Sequence, residues 1–244
     1  MALSHQRKTT AILLALYWPT LFVFAHIPVP QVVQEADVSD KSLHFLAYLI
    51  LVYLLWFSMR GGERVSWRGM GAWCVLAALA VYGVFDEWSQ GFVAGRSCDV
   101  RDFFADMTGV LAGLILFSVF TFLSAGLLVV AIVIFGVTNV TRADLGELMP
   151  IIGGTFYLFS YAIFTALWVQ YIRHFRFTMR PPRTGIRHLT AALAAPLALL
   201  LFVKLFSVVF DSAFGAREMI ICACGIGAVI AATYLAPSFR RAKG

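Results

Sequence analysis

The 13 Asp and Glu of this 244-residue chain are unevenly placed. Asp86, Glu87, Asp99, Asp102 and Asp106 fall within residues 86–113, DEWSQGFVAGRSCDVRDFFADMTGVLAG, together with Arg96 and Arg101. Strongly apolar segments lie on either side, and a charged group carried into a bilayer costs about 2.5–3.5 kcal/mol or more unless it is paired, solvated or bound. Upstream, Lys41, His44 and Tyr48 are spaced i, i+3, i+7 and share one helix face. Asp86 and Gln90 are four apart, and Asp99, Asp102 and Asp106 repeat the i, i+3, i+7 pattern. Three helix ends therefore converge a histidine, a lysine, an amide and several carboxylates on one pocket.

Three chemistries fit these residue types. In the first, Arg96 and Arg101 pair with Asp86, Asp99 or Asp102 and pin a loop, a polar network that fixes geometry. In the second, Lys41 and Arg96 hold a phosphate, the guanidinium in bidentate fashion, while His44 or Glu87 moves a proton. His44, Glu87 and Asp102 are then the catalytic candidates, and Lys41, Tyr48, Asp86, Gln90, Arg96, Asp99 and Asp106 the binding candidates. In the third, Asp86, Glu87, Asp102 and Asp106 offer hard oxygen ligands to Mg²⁺ or Ca²⁺. No ligand spacing demands a metal, and the sequence assigns no cofactor.

The elements that must position these groups are membrane helices. Hydrophobic residues make up 61% of the chain and charged residues 13%, with mean hydropathy +0.84; soluble domains carry about 45–50% and about 25%. The expected fold is all-α, a polytopic bundle of about eight transmembrane helices, near residues 10–27 (kinked at Pro19), 43–59, 70–87, two within 103–140, then 148–172, 189–210 and 218–236. The 103–140 run would be about 57 Å long as one helix, against a hydrocarbon core of about 30 Å, so it must break, and 124–126 is the expected turn. Most of the 19 Lys and Arg (Arg7, Lys8, Arg60, Arg64, Arg68, Arg173, Arg176, Arg180, Arg183, Arg187, Arg240, Arg241, Lys243) fall in the N-terminus, alternate links and the tail. That bias predicts cytoplasmic termini and an extracytoplasmic acidic pocket, with the acids of the 28–41 loop on the same side. It also accounts for the pI near 9.4 without a nucleic-acid partner. The 173–188 link reads as an anchor to anionic lipid.

Ala105, Gly109 and Gly113 form a small-xxx-small stripe for close helix packing. Cys74, Cys222 and Cys224 read as packing residues and Cys98 as a loop thiol. Trp18, Trp56, Trp73, Trp88 and Trp168 read as interface aromatics, and Lys204, seven residues before Asp211, as a snorkelling lysine.

Two segments together resemble the VanZ-like family. Its K-x-x-H-F-x-x-Y pattern is matched by Lys41, His44, Phe45 and Tyr48. Its second pattern is matched by Asp86, Glu87, Gln90, Phe92, Gly95, Arg96, Asp102 and Gly109, with Asp106 where the family usually has Asn. The resemblance covers about residues 10–125, so the expected organisation is a VanZ-like four-helix domain over 1–125 and a four-helix extension over 126–244 of unassigned role. The family is named for a protein linked to glycopeptide-antibiotic resistance, which implies bacterial inner-membrane envelope biology at the outer leaflet without supplying a reaction. The functional expectation is a pocket that binds or acts on an anionic lipid or polyprenyl-phosphate precursor. The alternative is a non-catalytic accessory subunit whose C-terminal half docks membrane-protein partners. An incompletely paired pocket favours the first, and a donor for every carboxylate with no cavity favours the second. A transporter ranks third, because the spans lack paired Gly/Pro breaks and midplane charges.

Overall fold

The computed structural model describes residues 2–27, 40–141, 150–177 and 186–241. Glu35 and Asp37 of the 28–41 loop, and Arg180, Pro181, Pro182, Arg183 and Lys243, lie outside the described residues. Among the described residues eight helices follow in order: α1 (Ala2–Ala25), α2 (Asp40–Arg60), α3 (Met70–Gln90), α4 (Val100–Val119), α5 (Phe122–Phe135, continued by a π-turn over Gly136–Val140), α6 (Pro150–Phe177), α7 (Ile186–Val209) and α8 (Ala216–Arg241). Each is long and apolar enough to cross a bilayer, and no strand occurs among the described residues. The chain is a multi-pass membrane protein. It divides into two compact units, Met1–Val129 and Val130–Gly244, with the boundary inside α5.

In the first unit α2 is the central helix, packed most heavily on α4 and α1, while α3 packs on α4. Its buried side chains, Leu46 through Phe57, point several ways around the helix, as a span covered on more than one side requires. The α2–α4 approach is set by the small-residue stripe. A Cβ on Gly109 would run into the Phe45 carbonyl, and one on Gly113 would meet the Val52 side chain. Lipid tails are as apolar as Leu, so close backbone approach is what a membrane interface gains from glycine. The two helices run parallel, in register from Phe45–Gly109 at one end to Phe57–Phe117 at the other. Tyr17 ties α1 to α2 by donating to the Ala47 carbonyl at 3.0 Å.

The break in the 103–140 run comes earlier than expected. Phe120 is extended (φ −105°, ψ 144°) and ends α4, so the turn lies at Phe120–Thr121 rather than at 124–126. Thr121 then opens α5: its carbonyl accepts from Ala125 N (2.8 Å) and its hydroxyl meets Ser124 Oγ (3.3 Å). Ser124 belongs to the first turn of the new helix, and the helix-start chemistry of threonine outweighs the small-residue signal that follows. α1 continues through Pro19.

Trp56, expected at an interface, is buried instead, with Nε1 donating to the Glu63 carbonyl at 2.9 Å. A loop carbonyl supplies the partner that water would have given it. Cys74 and Cys224 are exposed, contrary to the packing expectation, because they point away from helix contacts; Cys222 is buried and Cys98 is exposed.

In the second unit α6 packs closely on α8, where a Cβ on Gly225 would strike the Leu158 carbonyl. Phe135 of α5 is ringed by Phe202, Phe206 and Phe210 of α7. Lys204 reaches toward its helix end, where Nζ donates to the Phe214 carbonyl at 2.6 Å.

Candidate functional site

Four helix ends meet at one end of the first unit: the C-termini of α1 and α3, and the N-termini of α2 and α4. The loop from α3 to α4 turns at Gly95, whose φ of 80° suits glycine. Asp99 caps α4, accepting from Arg101 N at 2.9 Å. Its own backbone N–H donates to Glu87 Oε2 at 3.1 Å, so the cap also fixes the carboxylate that ends α3.

His44, one turn into α2, lies at the centre. Its Nδ1 is 3.0 Å from Asp106 Oδ1 and 3.8 Å from Glu87 Oε1, and its Nε2 is 3.8 Å from Asp40 Oδ1. One imidazole therefore faces carboxylates from three helices. Lys41 lies at the rim, 3.7 Å from Asp99 and 3.6 Å from Asp102, with its side chain half exposed. Gln90 Nε2 donates to Asp86 Oδ2 at 2.9 Å, as their four-residue spacing predicts. Tyr48 is buried beside these acids, against the ring of Tyr82 (centroids 5.9 Å apart). Of the ten candidate residues, nine converge here: Lys41, His44, Tyr48, Asp86, Glu87, Gln90, Asp99, Asp102 and Asp106.

The tenth, Arg96, does not join the acids. Its Nη2 donates to the Phe24 carbonyl at the end of α1 (3.4 Å), and its buried Nε has no hydrogen-bond partner among the described residues. Neither Arg96 nor Arg101 forms an ion pair among the described residues. An arginine clasp on Asp86, Asp99 or Asp102 is therefore not the device that holds this loop; the Asp99 cap and the Asp99–Glu87 bond are.

The carboxylates are half-paired. Asp106, Glu87 and Asp102 are 0%, 3% and 7% exposed, and each keeps a buried oxygen (Oδ2, Oε1 and Oδ1) without a hydrogen bond. Burying such an atom costs about 1–3 kcal/mol, more for a charge. Two triads place their ligand atoms within 4.8 Å of one another, Asp40–His44–Asp102 and His44–Glu87–Asp106, and both include His44, which the oxygen-only set read from sequence omitted.

An apolar groove of about 540 Å³ runs beside the site along α1, lined by Ala11, Ala15, Trp18, Phe22 and Val23 and by Tyr82 of α3. Its lining extends along α1 to Val23, one residue before Phe24, whose carbonyl accepts from Arg96. His26 bridges the same corner, 2.8 Å from the Phe22 carbonyl and 2.7 Å from Ser89 Oγ. Sequence reading passed over Asp40, Tyr82 and His26. The first two carry a signal, each lying four residues before a singled-out residue (His44, Asp86) on the same helix face.

No curated protein and no solved structure matches the chain. Residues 3–121 match the family model described as VanZ/LLP1, and the second half has no family assignment. The N-terminal half, which carries the whole of the half-paired carboxylate–histidine cluster, is thus the part of this chain that is similar to the VanZ/LLP1 family.

Proposed function

We propose that the VanZ/LLP1 half binds a phosphate-bearing lipid of the bacterial cell envelope, with the acyl or polyprenyl chain along α1 and the phosphate at the helix ends. The observation that carries this reading is Arg96, a guanidinium with unspent donors and no carboxylate partner among the described residues, bonded to the Phe24 carbonyl next in sequence to the groove-lining Val23. Guanidinium presents its donors in a planar fork that fits phosphate, and lipid chains fill apolar clefts open to the bilayer. Half-exposed Lys41 supplies a second cation at the rim. His44, oriented by Asp106 on Nδ1, is the group placed to move a proton, with Glu87 and Asp102 as the neighbouring carboxylates. On the positive-inside argument this end faces the extracytoplasmic side of the inner membrane, where envelope precursors are used.

The second reading is a non-catalytic accessory subunit with the cluster as a clasp and the second unit docking a membrane-protein partner. It is supported by the donor or cation that each buried carboxylate does have: Gln90 for Asp86, Asp99 N for Glu87, Lys41 for Asp102 and His44 for Asp106.

Mass spectrometry of lipids copurified with the wild type and with Arg96→Ala and His44→Ala, beside a thermal melt of each, separates the two. Under the lipid reading the wild type carries a phosphate lipid that Arg96→Ala loses by tenfold or more without a change in melting. Equal lipid content in all three proteins, with His44→Ala merely melting lower, leaves the clasp.

A further inference from the structure

We infer that the VanZ/LLP1 unit holds one divalent cation of the Mn²⁺ or Zn²⁺ kind between His44 Nδ1, Glu87 Oε1 and Asp106. The inference stands on the cluster itself and does not require the lipid. Asp86, Glu87, Asp102 and Asp106 are buried together at one helix-bundle end, and the cationic partners within ion-pair range are half-exposed Lys41 and His44. Buried like charges at this density need protons or a cation to coexist. The second observation is the set of bare atoms. Glu87 Oε1 and Asp106 Oδ2 sit on side chains more than nine-tenths buried, have no hydrogen bond, and belong to carboxylates that face the same imidazole nitrogen.

The spacing suits coordination. A cation about 2.1 Å from each ligand sets neighbouring ligand atoms about 3.0–3.4 Å apart. Asp106 Oδ1 lies at 3.0 Å from Nδ1 and Glu87 Oε1 at 3.8 Å, so closure needs a shift of a few tenths of an ångström by a flexible glutamate. The second triad, Asp40–His44–Asp102, is the weaker site because Lys41 lies 3.6 Å from Asp102 and would repel a cation there. Asp40 instead takes the outer role. With the cation on Nδ1, the ring carries its proton on Nε2 facing Asp40, as ligating histidines are usually oriented by a carboxylate behind them. Mixed imidazole and carboxylate ligands favour Mn²⁺ or Zn²⁺ over Ca²⁺. Asp106 Oδ2, bare and buried beside Oδ1, is the atom free to join the cation as a second oxygen of the same carboxylate, and the remaining coordination positions are left for water or an incoming phosphate oxygen.

The test uses the full chain, stripped with chelator in detergent and titrated with Mn²⁺ under electron paramagnetic resonance. The expected result is one tightly bound Mn²⁺ per chain with the nuclear coupling of a single histidine nitrogen, displaced by Zn²⁺ and not by Ca²⁺ at equal concentration. Glu87→Gln and Asp106→Asn keep size and shape, and each should weaken binding by tenfold or more, while Glu63→Gln, on the α2–α3 loop, should not. Failure of the wild type to bind Mn²⁺ stoichiometrically, or binding with no histidine nitrogen coupling, overturns the inference even if a variant fails to fold. Phosphate lipid retained by a metal-free wild type would leave the lipid reading standing while this one falls.

Discussion

Gly109→Ala is the sharpest single test of how packing holds the site. A methyl group at Gly109 would overlap the Phe45 carbonyl oxygen and crowd the Leu49 amide at 3.3 Å. These are backbone atoms of a neighbouring helix, so no rotamer change relieves the contact. To reach ordinary van der Waals distance α2 and α4 must part by about 1 Å there, and overpacking of this kind costs about 1–3 kcal/mol. The separation acts directly on the cluster. Phe45 follows His44 in sequence, and Asp106 sits one turn before Gly109, so the same displacement stretches the 3.0 Å His44–Asp106 contact beyond hydrogen-bond range. The assay is thermal or denaturant unfolding in detergent beside Gly227→Ala, whose added Cβ meets nothing within 4 Å. There the helix-propensity gain, up to about 1 kcal/mol, should appear unopposed. The expected pair is a loss for Gly109→Ala and a neutral or positive change for Gly227→Ala. Equal stability of Gly109→Ala and wild type would refute the close-approach account and, with it, the account of how His44 is held.

Asp99→Ala removes the cap of α4 and should cost about 0.5–2 kcal/mol, measured by the same unfolding assay; Asp99→Asn, which can still cap, should recover most of it. For sidedness, a chain carrying Cys74→Ser, Cys222→Ser and Cys224→Ser keeps Cys98, which is exposed in the α3–α4 loop at the site's end. A membrane-impermeant maleimide added to intact cells should label it; labelling only after the membrane is opened would place the cluster on the cytoplasmic face.

Much of the first unit was legible because its signals are local. Segments that are apolar around most of their circumference read as spans whatever they pack against, so the eight helices followed from hydropathy and length. The i, i+3, i+7 spacing of Lys41, His44 and Tyr48, and of Asp99, Asp102 and Asp106, fixed which residues share a face, and the glycine stripe fixed where α4 approaches a neighbour. What sequence could not give was the partner of each charge. Arg96 and Arg101 sit amid the acids in the chain, and proximity in sequence suggested a clasp. The turn at Gly95 sends Arg96 to the end of α1, seventy-two residues away in sequence. His44, sixty-two residues from Asp106, takes the place expected of the arginines. The α4–α5 break was misplaced for a related reason: small residues permit a turn, whereas an extended Phe120, followed by Thr121 whose carbonyl accepts from Ala125 N, makes one.

The directions of the four helices decide how the cluster should be weighed. α2 and α4 point their N-termini at the site, and each such end stabilises a carboxylate by typically 0.3–1 kcal/mol, which suits Asp40, Asp99 and Asp102. Asp86 and Glu87 lie in the last turn of α3, at the negative end of its dipole, where the same effect opposes them. A structural clasp has no use for two buried carboxylates at the unfavourable end of a helix; a neutral glutamine at both positions would bond as well. The placement makes sense when their negative charge is itself required, facing His44 and Asp106 across the gap. A dication there would cancel half the charge of the four buried carboxylates, and with Lys41 and Arg96 would bring the site near neutrality for an approaching phosphate. An anion alone would meet net repulsion. A cation held by the acids would therefore ease the approach of a phosphate lipid, although each can be tested without the other.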